Sequence, residues 1–250
     1  MKFIHLSDLH IRSSNDDNKE LIDRLNFISD TYPEHRIVIT GDITDDGAPK
    51  QYDNAYNLLK PFTDRIYICP GNHDFGAMGN FYSEERARHF DQKLANPLKQ
   101  GGTFKGDFTP VVNVVKDATS TVMLIALDSN LETQNPFDFA CGEIGAFQLQ
   151  ALDTILSTAP RNVIKAVFFH HHPFIVNDPF MMLKDAEALT RTIYGRTDIV
   201  LFGHKHEMKQ WGSRWGTKFM LASDNSPNKD FAKEISVDNG NISVAPIPIH

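Results

Sequence analysis

The chain has 250 residues, 41% apolar and 23% charged, a balance that suits a packed globular protein and excludes a disordered one. Its 25 Lys plus Arg against 32 Asp plus Glu give a net charge of −7, which disfavours a non-specific binder of nucleic acid or anionic membrane without excluding a local basic groove. Cys69 and Cys141 make no disulfide framework, no apolar run approaches the ~18 residues of a membrane span, and the first residues turn polar too soon for a signal peptide, so a cytoplasmic setting is expected.

In chain order, short apolar runs at 3–6, 36–40 and 65–69 read as strands. Between the first two, Leu21, Ile22, Leu25 and Ile28 form a helical stripe behind the capping-type cluster Ser14-Asn15-Asp16-Asp17. Tyr52, Ala55, Tyr56 and Leu59 form a second stripe, closed by Pro61. This alternation predicts βαβ units with right-handed crossovers and an α/β sheet. Residues 75–110 are rich in Gly and Asn and read as a helix over 83–95 with long loops, a possible lid or substrate-facing insert. Strands are expected at 110–115, 121–128, 163–169 and 198–202, and helices at 146–157 and 183–194. Three short strands follow near 217–222, 231–237 and 242–247, and nothing marks a linker, so residues 1–250 read as one domain with two sheets.

Eleven histidines are many for such a chain, and seven of them fall just after predicted strands. Asp8 and His10 follow the first strand, Asp42 the second, Asn72 and His73 the third. His170, His171 and His172 follow the strand over 163–169, and His204 and His206 the strand over 198–202. Ligands of an α/β sheet bind at the carboxyl ends of its strands, so the five groups should converge on one edge. Asp and His are ligands for divalent ions, and there are too many here for one four-coordinate ion, which suggests two ions sharing a carboxylate. Spacings of two, in Asp8/His10 and His204/His206, would put both side chains on one side of an extended segment. Gly41, Gly71 and Gly203 would let the backbone turn sharply beside them.

The series Asp8-x-His10, Gly41-Asp42, Gly71-Asn72-His73-Asp74, His-x-Pro173 and Gly203-His204-x-His206 resembles the calcineurin-like metallophosphoesterase superfamily. Each motif is weak alone, but five in order from 8 to 206 are specific. The resemblance implies a four-layer αββα sandwich and a dinuclear metal centre. It implies that Asp8, His10, Asp42 and His206 hold one divalent ion, and that Asp42, Asn72, His171 and His204 hold the other. The family's fourth ligand sits two residues before the proline, which selects His171, with His170 as the alternative. Mn, Fe and Zn are the leading metals, although the donor set leaves their identity open. The implied reaction is attack of a metal-bound hydroxide on a phosphodiester, with His73 protonating the leaving alkoxide and Asp74 orienting His73.

Departures from the pattern narrow the branch. Asp46 stands where protein Ser/Thr phosphatases carry an Arg, and Asp45 where purple acid phosphatases carry a ligand Tyr. The stretch Gly41 to Gly47, and later Leu127-Asp128-Ser129, resemble class III cyclic-nucleotide phosphodiesterases and the glycerophosphodiesterases like them. The expected substrate is a small phosphodiester, cyclic nucleotide first. A nucleotide pyrophosphatase, a phosphomonoesterase and a non-catalytic scaffold are the alternatives. No membrane or stable nucleic-acid partner is expected, and a homodimer is left open. His5, His35, His89 and His250 read as structural, Asp45, Asp46 and Asp128 as turn residues, and Trp211 and Trp215 as packing.

Overall fold

The computed structural model describes residues 1–105, 109–131 and 140–250. Strand β1 (Lys2–Leu6) leads through helix α1 (Lys19–Thr31) to β2 (Arg36–Thr40), and through α2 (Pro49–Leu59) to β3 (Ile66–Cys69). The three strands pair in parallel, as two βαβ units should. The capping cluster at 14–17 does not cap α1: the residue before the helix is Asn18, and its side chain bonds the backbone N–H and carbonyl of Arg12 instead. Pro49 opens α2, where its missing N–H costs nothing.

A single turn, α3 (Asn72–Phe75), follows β3, then a small hairpin of β4 (Gly76–Ala77) and β5 (Phe81–Tyr82). Helix α4 (Glu84–His89) continues as a wider π-helical turn over Phe90–Ala95. The stretch read as an insert contributes to the core. Phe90, Leu94, Leu98 and Phe104 are buried in one core with residues of β1, β2 and β3, while the hairpin segment exposes Met78 and Phe81. Gly106, counted in that stretch, lies outside the described residues.

Strands β6 (Val111–Lys116) and β7 (Thr121–Ala126), helix α5 (Ala146–Thr158), β8 (Ile164–Phe168), α6 (Ala186–Ile193) and β9 (Ile199–Phe202) build a second sheet. It is completed by β10 (Lys209–Arg214) and β11 (Thr217–Ala222), while β12 (Phe231–Asp238) and β13 (Asn241–Pro248) return to the first sheet. The orders are β13-β12-β1-β2-β3 and β10-β11-β9-β8-β7-β6. Strand β10 has no alternating apolar pattern and is exposed along most of its length, so only its pairing with β11 reveals it.

Two apolar cores set the layers. One joins α1, α2 and both sheets; the other joins the far face of the second sheet to α5 and α6. The order is helices, sheet, sheet, helices: the expected αββα sandwich. Strand β8 shows the alternation between them. Ile164, Ala166 and Phe168 enter the first core, and Val167 and Phe169 enter the second.

Candidate metal centre

The ends of β1, β2 and β3 open at the same edge. Their loops continue side by side, with Asp8 N donating to Gly41 O at 3.1 Å and His10 N to Asp42 O at 3.0 Å. Asp8, His10, Asp42, His204 and His206 all have left-handed backbones, with φ between 49° and 73°. The two pairs spaced by two are therefore turn residues rather than members of extended segments. Such conformations cost non-glycine residues on the order of 1–3 kcal/mol each and persist where surrounding bonds fix them. Close approach also dictates two glycines. A Cβ on Gly71 would collide with the Asp42 carboxylate, and one on Gly203 with the Ser7 hydroxyl and Asp8 carboxylate.

Asp42 sits in the middle. Its Oδ1 accepts the His73 N–H at 2.9 Å, and its Oδ2 lies 3.2 Å from His170 Nε2. Carboxylate and imidazole atoms of Asp8, Asp42 and His170 lie within 4.8 Å of one another, as do those of Asp8, His10 and His206, and those of His10, Asp42 and His73. On the far side His204 Nδ1 is 3.1 Å from Asn72 Oδ1 and 3.2 Å from His170 Nε2. The outer atoms of these groups are held. His170 Nδ1 donates to Thr40 O at 2.8 Å, His204 Nε2 to Met181 O at 3.2 Å, and Asn72 Nδ2 to Gly79 O at 2.9 Å. With their hydrogens directed outward, Asn72 Oδ1 and His204 Nδ1 turn lone pairs inward.

Two expectations change. The Asp42 carboxylate meets His170 at 3.2 Å, whereas His171 Nδ1 is 2.8 Å from Ser129 Oγ, its ring stands 4.5 Å from that of His204, and its buried Nε2 makes no hydrogen bond of good geometry among the described residues. The alternation of β8 explains this. Phe168 points between the sheets and Phe169 away from them, and beyond the strand end His170 meets Asp42 while His171 lies against Gly142 and His204. His172 bonds Glu207 and packs on Phe202 and Trp211.

Asp74 does not orient His73. Its carboxylate accepts from Gly71 N, Ile43 N, Thr44 N and Thr44 Oγ1 at 2.8–3.2 Å, tying the loop after β2 to that after β3. The Asp45 backbone carbonyl takes His73 Nδ1–H instead, at 2.8 Å. The Asp45 carboxylate also lies 3.7 Å from His10 Nδ1, so a residue read as a turn former touches two site histidines. Asp128 bonds the backbone and side chain of Asn130, as a turn residue should.

Burial divides the titrations. It holds His10 down at about 4 and His204 at about 3, so both stay neutral with a lone pair to offer. It lifts Asp8 to about 6. Burial also opposes charge on Asp42 and His170, but their mutual attraction wins: Asp42 is held well below the usual carboxylate range and His170 is raised to about 9. His206 is raised by its bond to Asp224, a residue the sequence reading did not single out.

The donor set fits divalent cations. Asp42 Oδ2 and His204 Nδ1 are acceptors each 3.2 Å from His170 Nε2, whose proton they have to share, and Asn72 Oδ1 is a third acceptor 3.1 Å from His204 Nδ1. A cation in place of that proton would satisfy all four lone pairs at once. Beside these residues opens a cleft of about 280 Å³, lined by His10, His73, His206, Arg12 and Asp45 among others.

A family model described as calcineurin-like phosphoesterase matches residues 1–208. A probable cyclic nucleotide phosphodiesterase of Coxiella burnetii is 26% identical over 216 residues, covering 82% of this chain and 76% of the relative. A 3',5'-cyclic-nucleotide phosphodiesterase of Nostoc is 27% identical over 177 residues, 68% of this chain and 55% of the relative, so this chain spans about half the length of that protein. Among solved structures, a dimetal phosphatase from Danio rerio aligns with a TM-score of 0.72 over 100% of this chain and 96% of that one, at 16% identity, a likeness of fold. With its motifs in order and its fold in agreement, the chain belongs to the calcineurin-like phosphoesterase family.

Proposed function

We propose that this protein hydrolyses small phosphodiesters at a site for two divalent cations, with a 3',5'-cyclic nucleotide as the first substrate to try. The observation that carries the reading is Asp42, flanked by Asp8, His10 and His206 on one side and by Asn72, His170 and His204 on the other. We assign the first group with Asp42 to one cation, and the second group with Asp42 to the other. His170 replaces His171 in this set. Two divalent ions against the charges of Asp8 and Asp42 leave the core at about +2, which suits an anionic ester despite the acidic surface. The bound ions would supply charge stabilisation to the phosphoryl oxygens and lower the pKa of the attacking water.

The protein's own groups do the rest. His73 keeps Nδ1–H on the Asp45 carbonyl, so a second proton on its ring sits on Nε2, where the imidazolium can hand it to the leaving alkoxide. Asp42 Oδ1 fixes the backbone of His73 at 2.9 Å, so the acid and the shared carboxylate move together. The cleft is near the lower end of the roughly 300–1,000 Å³ typical of small-molecule sites, which favours a small diester over a polymer. The names of the Coxiella and Nostoc relatives support the cyclic-nucleotide choice.

The test is hydrolysis of cyclic AMP, glycerophosphodiester, nitrophenyl mono- and diesters and ADP under added Mn²⁺, with metal content measured. Diesters should be cleaved fastest. Faster cleavage of the monoester or the diphosphate would overturn the reading.

A further inference from the structure

Asp224 follows β11, beyond residue 208 where the family match ends. Strand β11 runs parallel to β9 with Ala222 beside Phe202, so the chain leaves both strands at the same edge. Ser223 N donates to Phe202 O at 3.1 Å, which brings residue 224 beside the turn of His204 and His206. The Asp224 side chain is 1% exposed. Its Oδ1 lies 3.5 Å from His206 Nδ1 and accepts from Ser226 N at 3.1 Å and Ser226 Oγ at 2.6 Å. Its Oδ2 is 3.4 Å from Lys229 Nζ and makes no hydrogen bond among the described residues. At the other end of the same imidazole, His206 Nε2 is 4.0 Å from Asp8 Oδ1.

We propose that Asp224 is a positioning residue that holds His206 with Nδ1–H toward itself and the Nε2 lone pair toward the cation shared with Asp8, His10 and Asp42; this rests on the two-cation reading above. The need is visible in His206. Its side chain is 48% exposed, the most exposed of the proposed histidine ligands, and stacking on His10 at 5.4 Å does not choose between its two nitrogens. A carboxylate on one nitrogen does choose, fixing both tautomer and ring orientation. The loop carrying Asp224 is built to hold that position. Asn225 N donates to Ser7 O at 2.8 Å, Ser7 N to Asn225 Oδ1 at 3.0 Å, and Arg24 to the carbonyls of Asn225 and Ser226 at 3.2 Å. Asp224 and Asp8 are thereby locked in one frame, and they address His206 from its two ends. Burying a carboxylate costs several kcal/mol unless partners compensate, and here Ser226 on Oδ1 and the Lys229 ammonium beside Oδ2 compensate and hold the group beside His206.

The experiment is Mn²⁺ binding by equilibrium dialysis to the metal-stripped full chain, for wild type, Asp224→Asn, Ser226→Ala, His206→Ala and the double variant His206→Ala/Asp224→Asn. Wild type should take two ions. Asp224→Asn should weaken one site by about 10- to 100-fold and leave the other within about twofold, the range for loss of such a partner. The double variant should be no worse than His206→Ala alone, and Ser226→Ala, which removes one of the two Ser226 bonds on Oδ1, should lose less than Asp224→Asn. NMR of the metal-free chain should show the His206 Nδ1–H tautomer in wild type and its loss in Asp224→Asn. Both sites retained at wild-type affinity in Asp224→Asn, or a loss in the double variant well beyond that of His206→Ala alone, would overturn the proposal while leaving the two-cation reading standing. A wild-type chain that takes up no Mn²⁺ would overturn both.

Discussion

His170 Nε2 stands 3.2 Å from Asp42 Oδ2, a contact that joins the second sheet to the first at the centre of the candidate site. Asp42 leaves the end of β2 and His170 the end of β8, so neither sheet alone makes the pair. The left-handed backbone at Asp42 and the bond from His170 Nδ1 to Thr40 O aim the two groups at each other.

The role given to His73 predicts a dependence on leaving group. His73→Ala should slow a diester with a poor alkoxide leaving group by about 10²–10⁴-fold, the usual worth of a placed general acid. A nitrophenolate, which leaves without a proton, should lose far less. Equal losses with both substrates would remove His73 as the acid. Asp74→Asn should act differently, lowering stability through the bonds it makes to Thr44, Ile43 and Gly71.

Most of the frame was legible in the sequence, and its failures have physical causes. The helical stripes of α1 and α2 and the apolar runs of β1, β2 and β3 carry their periodicity openly. So did the placement of Asp8, Asp42, Asn72 and His204 after strands. The choice among three consecutive histidines was not legible. The run before them is apolar at nearly every position, so it has no polar face to tell which side each residue takes. Only the two cores reveal that Phe168 and Phe169 diverge. Asp224 was missed for a related reason: it stands alone after a short strand, and only the parallel pairing of β11 with β9 brings it to His206. The part played by Asp45 at His73 is a backbone carbonyl, which no residue type advertises.

The segment read as a lid makes a stability prediction. Phe90 is fully buried and meets Phe75 and Phe104 edge-to-face at 5.8 Å and 5.5 Å. Phe90→Ala should cost about 3–5 kcal/mol in urea unfolding of the metal-free chain, as for other buried aromatic residues. A detachable lid would give a loss near zero.

His5 predicts part of the pH dependence. It is fully buried against Thr40, and burial, with Lys233 adding, pushes its pKa down to about 3 from the usual 6.5. Between those values the unfolded chain binds a proton at this site that the folded chain does not, so stability falls as pH drops through the window. One proton corresponds to about 1.4 kcal/mol per pH unit. Urea midpoints of the metal-free chain at pH 6 and pH 4.5 should show a smaller acid loss in His5→Gln than in wild type. An unchanged difference would show that His5 is not the group responsible.

In the proposed site His170, and not His171, stands with Asp42, Asn72 and His204. The direct measurement is Mn²⁺ stoichiometry of the metal-stripped chain by dialysis and elemental analysis, for His170→Ala and His171→Ala. His170→Ala should retain about one ion where wild type holds two, with diester hydrolysis lost, and His171→Ala should still bind two. Two ions retained in His170→Ala, with one lost in His171→Ala, would give the ligand role to His171 instead.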